Sequence, residues 1–227
     1  MTFILNIETS TKNCSVSIAK SGELISLKEI NNGHYSHAEM LHPLIKEALD
    51  ESKLSMDQID AVAVGKGPGS YTGLRIGVSA AKGICFSNDI PLISINSLEI
   101  LAHSIDSNKG LIIPMIDARR MEVYSAIFDH SFKITRETKA EVIDENSFSK
   151  EMKEHQIYIL GDAAKKCKET IINRNAIFID NKFPSSREMA KLSYGKFDSN
   201  TFEDVAYFEP FYLKDFIATQ EKKKSVS

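Results

Sequence analysis

The stretch Gly65-Lys66-Gly67-Pro68-Gly69-Ser70-Tyr71-Thr72-Gly73-Leu74-Arg75-Ile76-Gly77 restricts the fold more than any other part of the chain. A β-branched apolar run over 59–64 ends in three glycines and a proline within five residues, and a long helical pattern starts straight after. Glycine permits positive φ and close backbone approach, while proline fixes its own φ, so the loop is rigid as well as permissive. Ser70 or Thr72 can cap the helix, and the free N–H groups at its start suit an anion or a carbonyl. No Lys-Ser/Thr pair follows the last glycine, so it is not a Walker loop, nor is it a clean dinucleotide fingerprint. The same spacing equally suits a tight strand-to-helix turn packed under a neighbour.

The helix that follows is over-apolar. From Tyr71 to Phe86 its strongly polar residues are Arg75, Ser79 and Lys82, one narrow stripe at i, i+4 and i+7. The rest of the circumference is wider than the roughly 100° stripe that a surface helix buries. Gly73, Gly77 and Ala81 fall four apart, a shallow groove that a second helix can approach. Such a helix is expected to lie between a sheet and another helix, of this chain or of a partner.

At 227 residues the chain can build one large or two small cores, with 42% hydrophobic and 26% charged residues as in ordinary globular proteins. A formal net charge of −3 argues against a nucleic-acid binder working alone. Cys14, Cys85 and Cys167 are odd in number and far apart, which points to reduced thiols. No basic region leads into an apolar stretch at the N-terminus and no apolar run reaches ~18 residues, so a cytoplasmic protein with no membrane contact is expected.

In chain order, 3–7, 14–19 and 24–30 read as three antiparallel strands, the first turn (Glu8 to Asn13) lined by hydroxyls and one carboxylate. Ser36 and Glu39 have capping-box spacing ahead of a helix over about 36–51, which Pro43 is expected to kink by removing one backbone donor. A strand at 59–64, the glycine loop, the helix over about 70–87, a strand at 91–95 and a helix at 97–104 complete an α/β half with a mixed sheet. After a linker at 106–110 the pattern restarts: strands at 111–116, 123–128 and 132–135, a helix at 148–154, a strand at 157–160, and helices at 163–172 and 184–194. Two halves of similar size point to duplication, although no clean sequence repeat is visible. Expected units are a lobe over 1–103, a smaller lobe over 104–205, and a segment over 206–227 that returns to the first lobe and ends in a frayed Lys222-Lys223-Lys224 tail.

Several of these stretches resemble a known family. Ile7-Glu8-Thr9-Ser10 resembles the first phosphate hairpin of the actin/sugar-kinase/Hsp70 (ASKHA) superfamily. The run Gly67 to Gly77 is similar to that of the bacterial TsaB (YeaZ) proteins. Pro91 to Glu99, Asp117-Ala118-Arg119-Arg120 with Glu122-Val123-Tyr124, Leu160-Gly161-Asp162, and Pro210 to Lys214 match the same family in order, so the likeness covers nearly the whole chain. It implies an actin-like, ribonuclease H-like α/β fold of two lobes, each a mixed sheet flanked by helices.

The resemblance implies a non-catalytic subunit. TsaB proteins resemble TsaD, which transfers threonylcarbamoyl onto the anticodon-adjacent adenosine of tRNAs reading codons that begin with A. They pair with TsaD, are joined by the ATPase TsaE, meet tRNA through the complex and form homodimers when alone. No cofactor is implied for the isolated chain; ATP is used by the complex, with a possible nucleotide site at the TsaD junction. The implied contact is an apolar face of the two N-terminal helices: Met40, Leu41, Leu44, Ile45, Ala48, Gly73, Leu74, Gly77, Val78 and Ala81. TsaD carries an Asn-His-x-Glu-x-His metal motif, where this chain reads Asn96-Ser97-Leu98-Glu99-Ile100-Leu101. A leucine cannot ligate a metal, and His103 falls two residues late. Gly161-Asp162-Ala163-Ala164 keeps one glycine of TsaD's nucleotide loop.

Other constellations are open at this stage. His34, His37 and His42 lack the i, i+4 spacing of a helical metal pair. Glu8, Thr9, Ser10, Gly67, Gly69 and Ser70 are candidates for a nucleotide or phosphate contact, against hydrogen bonding within turn and cleft. Arg119 and Arg120 either grip a phosphate or a partner's acidic side chains, or are solvated turn charges. Two rival readings follow: a stand-alone actin-like ATP-dependent phosphotransferase or hydrolase using Glu8, and a metallopeptidase-like protein.

Overall fold

A computed structural model describes residues 1–34, 36–107 and 109–214. Residues 215–227, with the lysine tail and the end of the returning segment, lie outside the described residues. The first sheet is built from β1 (Phe3–Glu8), β2 (Cys14–Lys20), β3 (Glu23–Ile30), β4 (Ala61–Gly67) and β5 (Leu92–Asn96) in the order β3-β2-β1-β4-β5. The β1–β2 and β2–β3 pairs are antiparallel, and β1, β4 and β5 run parallel. The second sheet repeats that plan with β6 (Leu111–Asp117), β7 (Glu122–Asp129), β8 (Ile134–Val142), β9 (Ile157–Leu160) and β10 (Ala176–Ile179), in the order β10-β9-β6-β7-β8. Here β6–β7–β8 are antiparallel while β6, β9 and β10 are parallel. The two mixed sheets are flanked by helices in the expected actin-like arrangement. The halves are topological copies even though their sequences show no repeat.

One face of the first sheet carries α1 (His37–Ser52) and α2 (Tyr71–Asn88). Leu41, Leu44, Ile45 and Ala48 of α1 and Val78, Ala81 and Cys85 of α2 close a core with Leu5, Ile7, Val16, Val62 and Val64. Ser36 is the N-cap of α1, but at φ −115° and ψ 17° its side chain makes no capping bond, so the expected capping box does not form. Pro43 is the seventh residue of α1, so the bond its N–H would give to the Glu39 carbonyl is missing, yet the helix runs through it to Ser52.

The opposite face carries α3 (Ser97–Ala102) and α6 (Ser186–Asp198). Met189 and Ala190, with Leu192, Tyr194 and Phe197, pack on Ile4, Ala61, Ala63, Ile93 and Ile95. A helix expected inside the second lobe thus belongs to the first sheet, because its apolar side complements that sheet's second face. In the second lobe, α4 (Ser149–Glu154) and the single-turn α5 (Ala164–Cys167) cover β6 and β9 through Met152, Ala164 and Cys167. The helix expected to reach residue 172 stops at Cys167, and β10, absent from the sequence reading, follows instead.

Helix α3 joins the lobes. Ile100 packs into the first-sheet core, while Leu98, Leu101 and Ala102 pack with Ile112, Ile116, Phe128 and Leu160 of the second. The three cysteines are free and buried, and burial pushes their thiols up to about 12 for Cys14 and about 11 for Cys85 and Cys167. Among the described residues no helix is long and apolar enough to cross a membrane.

Glu188, in the first turn of α6, has one buried carboxyl oxygen without a partner, and burial raises its pKa to about 7, with Glu29 adding to the rise and Arg187 and Lys182 opposing it. A carboxyl with a raised folded pKa stabilises the fold fully below its unfolded value and loses that contribution as pH climbs through the folded value. The variant Glu188→Gln is therefore expected to gain on the parent between pH 5 and 8, by on the order of 1 kcal/mol in urea unfolding. Equal stability differences at both pH values would refute the assignment.

Candidate functional site

The glycine motif proves to be a seat for the turn that follows β1. A side chain at Gly65 would run into the carboxylate of Glu8; one at Gly69 would meet the Ser10 carbonyl. At Gly73 it would strike the Thr9 carbonyl, and at Gly77 the Thr9 hydroxyl. Each glycine gives up its Cβ to let one atom of Glu8, Thr9 or Ser10 approach. Hydrogen bonds fix the arrangement: the Thr9 hydroxyl donates to the Gly73 carbonyl at 2.9 Å, and the Ser70 N–H donates to the Ser10 carbonyl at 2.7 Å. The Ser70 hydroxyl accepts from the Gly73 N–H at 3.3 Å and so caps α2, as the sequence allowed.

Glu8 lies at the centre, fully buried. Its carboxylate accepts from the Ser10 N–H at 2.6 Å and the Ser97 hydroxyl at 3.1 Å. Burial raises its pKa, opposed by those hydrogen bonds. Ser97 in turn accepts from the Gly67 N–H at 3.2 Å. The six residues considered for a nucleotide or phosphate contact are therefore brought together, but they fill one another's space. The loop's N–H groups at Gly67, Ser70 and Gly73 are already bonded to protein oxygens.

The two places that would hold imidazole ligands are likewise occupied by structural side chains. Ser97 is committed to Glu8 and Gly67, and Leu101 is buried between the lobes. Among the described residues no group of three His, Cys, Asp or Glu could hold a metal ion. His37 is buried with Nε2 2.8 Å from the Thr11 carbonyl, while His34 and His42 are exposed. Gly161, the glycine retained in the second-half loop, has φ +114° and packs against the Met115 carbonyl and Leu101. Its conformation and tight packing account for a glycine there.

The ten residues expected to form a partner face are turned inward. Leu41, Leu44, Ile45, Ala48, Gly73, Leu74, Gly77, Val78 and Ala81 are buried within this chain, and Met40 is half-buried. The glycine groove that a second helix was expected to approach is filled by Thr9. The opposite side of α2 is left to solvent: Thr72, Ser79, Gly83 and Ser87 are exposed, Ile76 and Ala80 half-exposed, and Phe86 is 86% exposed. Nothing lies within 4 Å of a side chain added at Gly83. Sequence reasoning missed this face, although the bulk of Phe86 beside small residues was its signal.

Also unforeseen in its course is a strap formed by residues 203–214. It starts at the edge of β5, where the Glu203 N–H donates to the Leu92 carbonyl. Lys82 of α2 then donates to the Ala206 and Phe208 carbonyls, and the Phe211 N–H donates to the Lys66 carbonyl at 2.8 Å. Lys214 reaches Glu122 of the second lobe. A groove of about 180 Å³ lies between strap and helix, lined by Tyr71, Arg75, Lys82, Pro210 and Tyr212 among others.

A family model described as TsaD, tRNA N6-adenosine threonylcarbamoyltransferase, matches residues 32–224. The tRNA threonylcarbamoyladenosine biosynthesis protein TsaB of Haemophilus influenzae is 37% identical over 53% of this chain and 51% of its own length. The protein of the same description from Escherichia coli K12 is 26% identical over 95% of this chain and 96% of its own. The chain thus spans about half the length of the first relative and nearly all of the second. A solved protein from Pseudomonas aeruginosa, described as similar to peptidase YeaZ, superposes with a TM-score of 0.82 at 21% identity, over 94% of this chain and all (100%) of that one. At that identity the superposition speaks to the fold.

Substitution at the glycines separates the two sides of α2. Gly73→Ala is expected to cost about 3 kcal/mol or more, since its Cβ meets backbone that cannot move aside. Gly83→Ala is expected to gain up to about 1 kcal/mol from helix propensity. Denaturant midpoints of the two variants check this; a neutral Gly73→Ala would refute the seat.

Proposed function

The chain belongs to the tRNA N6-adenosine threonylcarbamoyltransferase (TsaD) family, and we propose that within it the chain serves as a non-catalytic partner of the transferase. It pairs with TsaD and supports transfer of threonylcarbamoyl to the anticodon-adjacent adenosine of tRNAs whose codons begin with A. The observation that carries this reading is at the start of α3. Where the transferase resemblance calls for two imidazoles, this chain has a serine bonded to Glu8 and a leucine buried between the lobes.

The contact we assign to TsaD is the outer side of α2, with Ile76, Ala80, Gly83 and Phe86 at its centre, extended by the exposed side of α1. Small residues around one projecting aromatic suit close helix–helix packing, with Phe86 as the anchor that a partner's pocket would cover. The same face serves a second copy of the chain when TsaD is absent. TsaE and tRNA join through the complex, and ATP is consumed there; a nucleotide, if held, sits at the junction with TsaD. The stand-alone phosphotransferase reading fares worse, because the Glu8–Ser10 turn and the glycine loop occupy each other's space.

Two measurements test this. Threonylcarbamoyladenosine formation, reconstituted from TsaD, TsaE, tRNA, ATP, threonine and the enzyme supplying threonylcarbamoyl-adenylate, is expected to vanish when this chain alone is omitted. The isolated chain is expected to turn over no ATP. Persistence of modification without the chain would sink the reading. For the interface, Gly83→Arg is expected to weaken binding to TsaD at least about tenfold, some 1.4 kcal/mol, without lowering the chain's own thermal midpoint. Unchanged affinity would place the contact elsewhere.

A further inference from the structure

The hairpin between β6 and β7 carries two adjacent arginines that the reading above leaves unused. Arg119 and Arg120 have φ of +74° and +50°, in the left-handed region where non-glycine residues are strained. Both are exposed, and neither forms an ion pair among the described residues. The hairpin is held firmly: the Asp117 carboxylate accepts from the Arg119 N–H at 2.7 Å and from Lys166 at 2.6 Å. Lys166 also donates to the Arg120 and Glu122 carbonyls at 2.7 Å each. Half-buried Lys166, with three acceptors, fixes the turn that carries this pair of exposed cations.

The surrounding charges extend the pair into a strip. Asp117 is paired with Lys166 and Glu122 with Lys214, so the acidic groups nearest the hairpin are already neutralised. Asp162 accepts from the Asp117 N–H at 2.9 Å, and burial raises its pKa to about 6. Exposed Lys12, on the β1–β2 turn of the other lobe, is close enough to act on that carboxyl. Arg119 and Lys214 likewise act on the half-buried Tyr124. Exposed Lys12 of the first lobe and the Arg119–Arg120 hairpin of the second thus lie on either side of Asp162, in a chain whose net charge is −3.

We propose that this surface, with Arg119 and Arg120 at its centre, contacts the phosphodiester backbone of the tRNA that the complex modifies. The proposal rests on the function assigned above. Guanidinium groups match phosphate oxygens bidentately, and several cations spread across two lobes suit a polymer of phosphates better than one acidic side chain of a partner protein. The contact positions the RNA and reads no sequence.

The test compares the parent with two double variants, each in complex with TsaD. Arg119→Asn with Arg120→Gly removes both charges and places residues that accept the left-handed backbone, so folding is retained. Arg119→Lys with Arg120→Lys keeps the charges. Binding of an unmodified tRNA transcript is measured between 50 and 200 mM salt. Loss of two phosphate contacts predicts that the parent's affinity advantage over the Asn/Gly variant shrinks about tenfold across that range, while the Lys/Lys variant follows the parent. The same titration on the isolated chains is the second arm. Arginine-dependent RNA binding there upholds the proposal even if no complex with TsaD forms, an outcome that would sink the function reading alone. An Asn/Gly variant with the parent's affinity and salt slope in both arms overturns it. So does arginine-dependent binding of inorganic triphosphate without an effect on RNA.

Discussion

Four glycines and one three-residue turn hold the first lobe together. Gly65, Gly69, Gly73 and Gly77 accept Glu8, Thr9 and Ser10 so closely that any side chain there would collide with them. The close approach locks β1 against β4 and α2 and buries a carboxylate, a cost of several kcal/mol for an ionised group without partners. Ser10 and Ser97 supply those partners, and Ser97 links the carboxylate onward to the Gly67 N–H and the start of α3. Strand ends, loop and two helix starts are thereby set by one hydrogen-bonded unit.

This arrangement bears on the chemistry the chain can perform. A cradle for phosphate requires free N–H groups and open space. Here the N–H groups of Gly67, Ser70 and Gly73 are spent on protein oxygens. A serine and a leucine at the two places where the resemblance calls for imidazoles serve packing and hydrogen bonding instead. The same residues make the first lobe a firm platform, with α2 presenting small residues and Phe86 outward.

How much of this was legible depended on whether side-chain pattern or backbone geometry carried the signal. The strands of the first sheet followed from alternation and β-branched runs, and the glycine stretch was legible as either a ligand loop or a packed turn. Periodicity alone cannot separate those, because a glycine looks the same whether it makes room for a phosphate or for Thr9. The excess apolar surface of α2 was real, but it faced inward onto the sheet and the β1 turn, leaving the less conspicuous side free. Ser36 and Glu39 had the spacing of a capping box, yet the chain enters α1 at a ψ that withholds the serine. That the C-terminal segment returns to the first lobe was legible, but the course of the strap was not, because the Phe211 N–H and the Ala206 and Phe208 carbonyls that fix it leave no mark on residue type. For β10, with four half-buried residues, pairing along β9 decides the conformation.

The six residues of α3 belong to both halves of the molecule, Ile100 to one core and Leu98, Leu101 and Ala102 to the other. Two topologically equivalent halves would ordinarily be separable, each able to melt or be cut free on its own. Dividing one short helix between them removes that independence: neither half can lose its structure without exposing side chains that the other needs. Heating should therefore meet one cooperative transition in place of two. The repeated architecture has become a single thermodynamic unit, in which a lesion deep in one sheet weakens the other by way of Leu101.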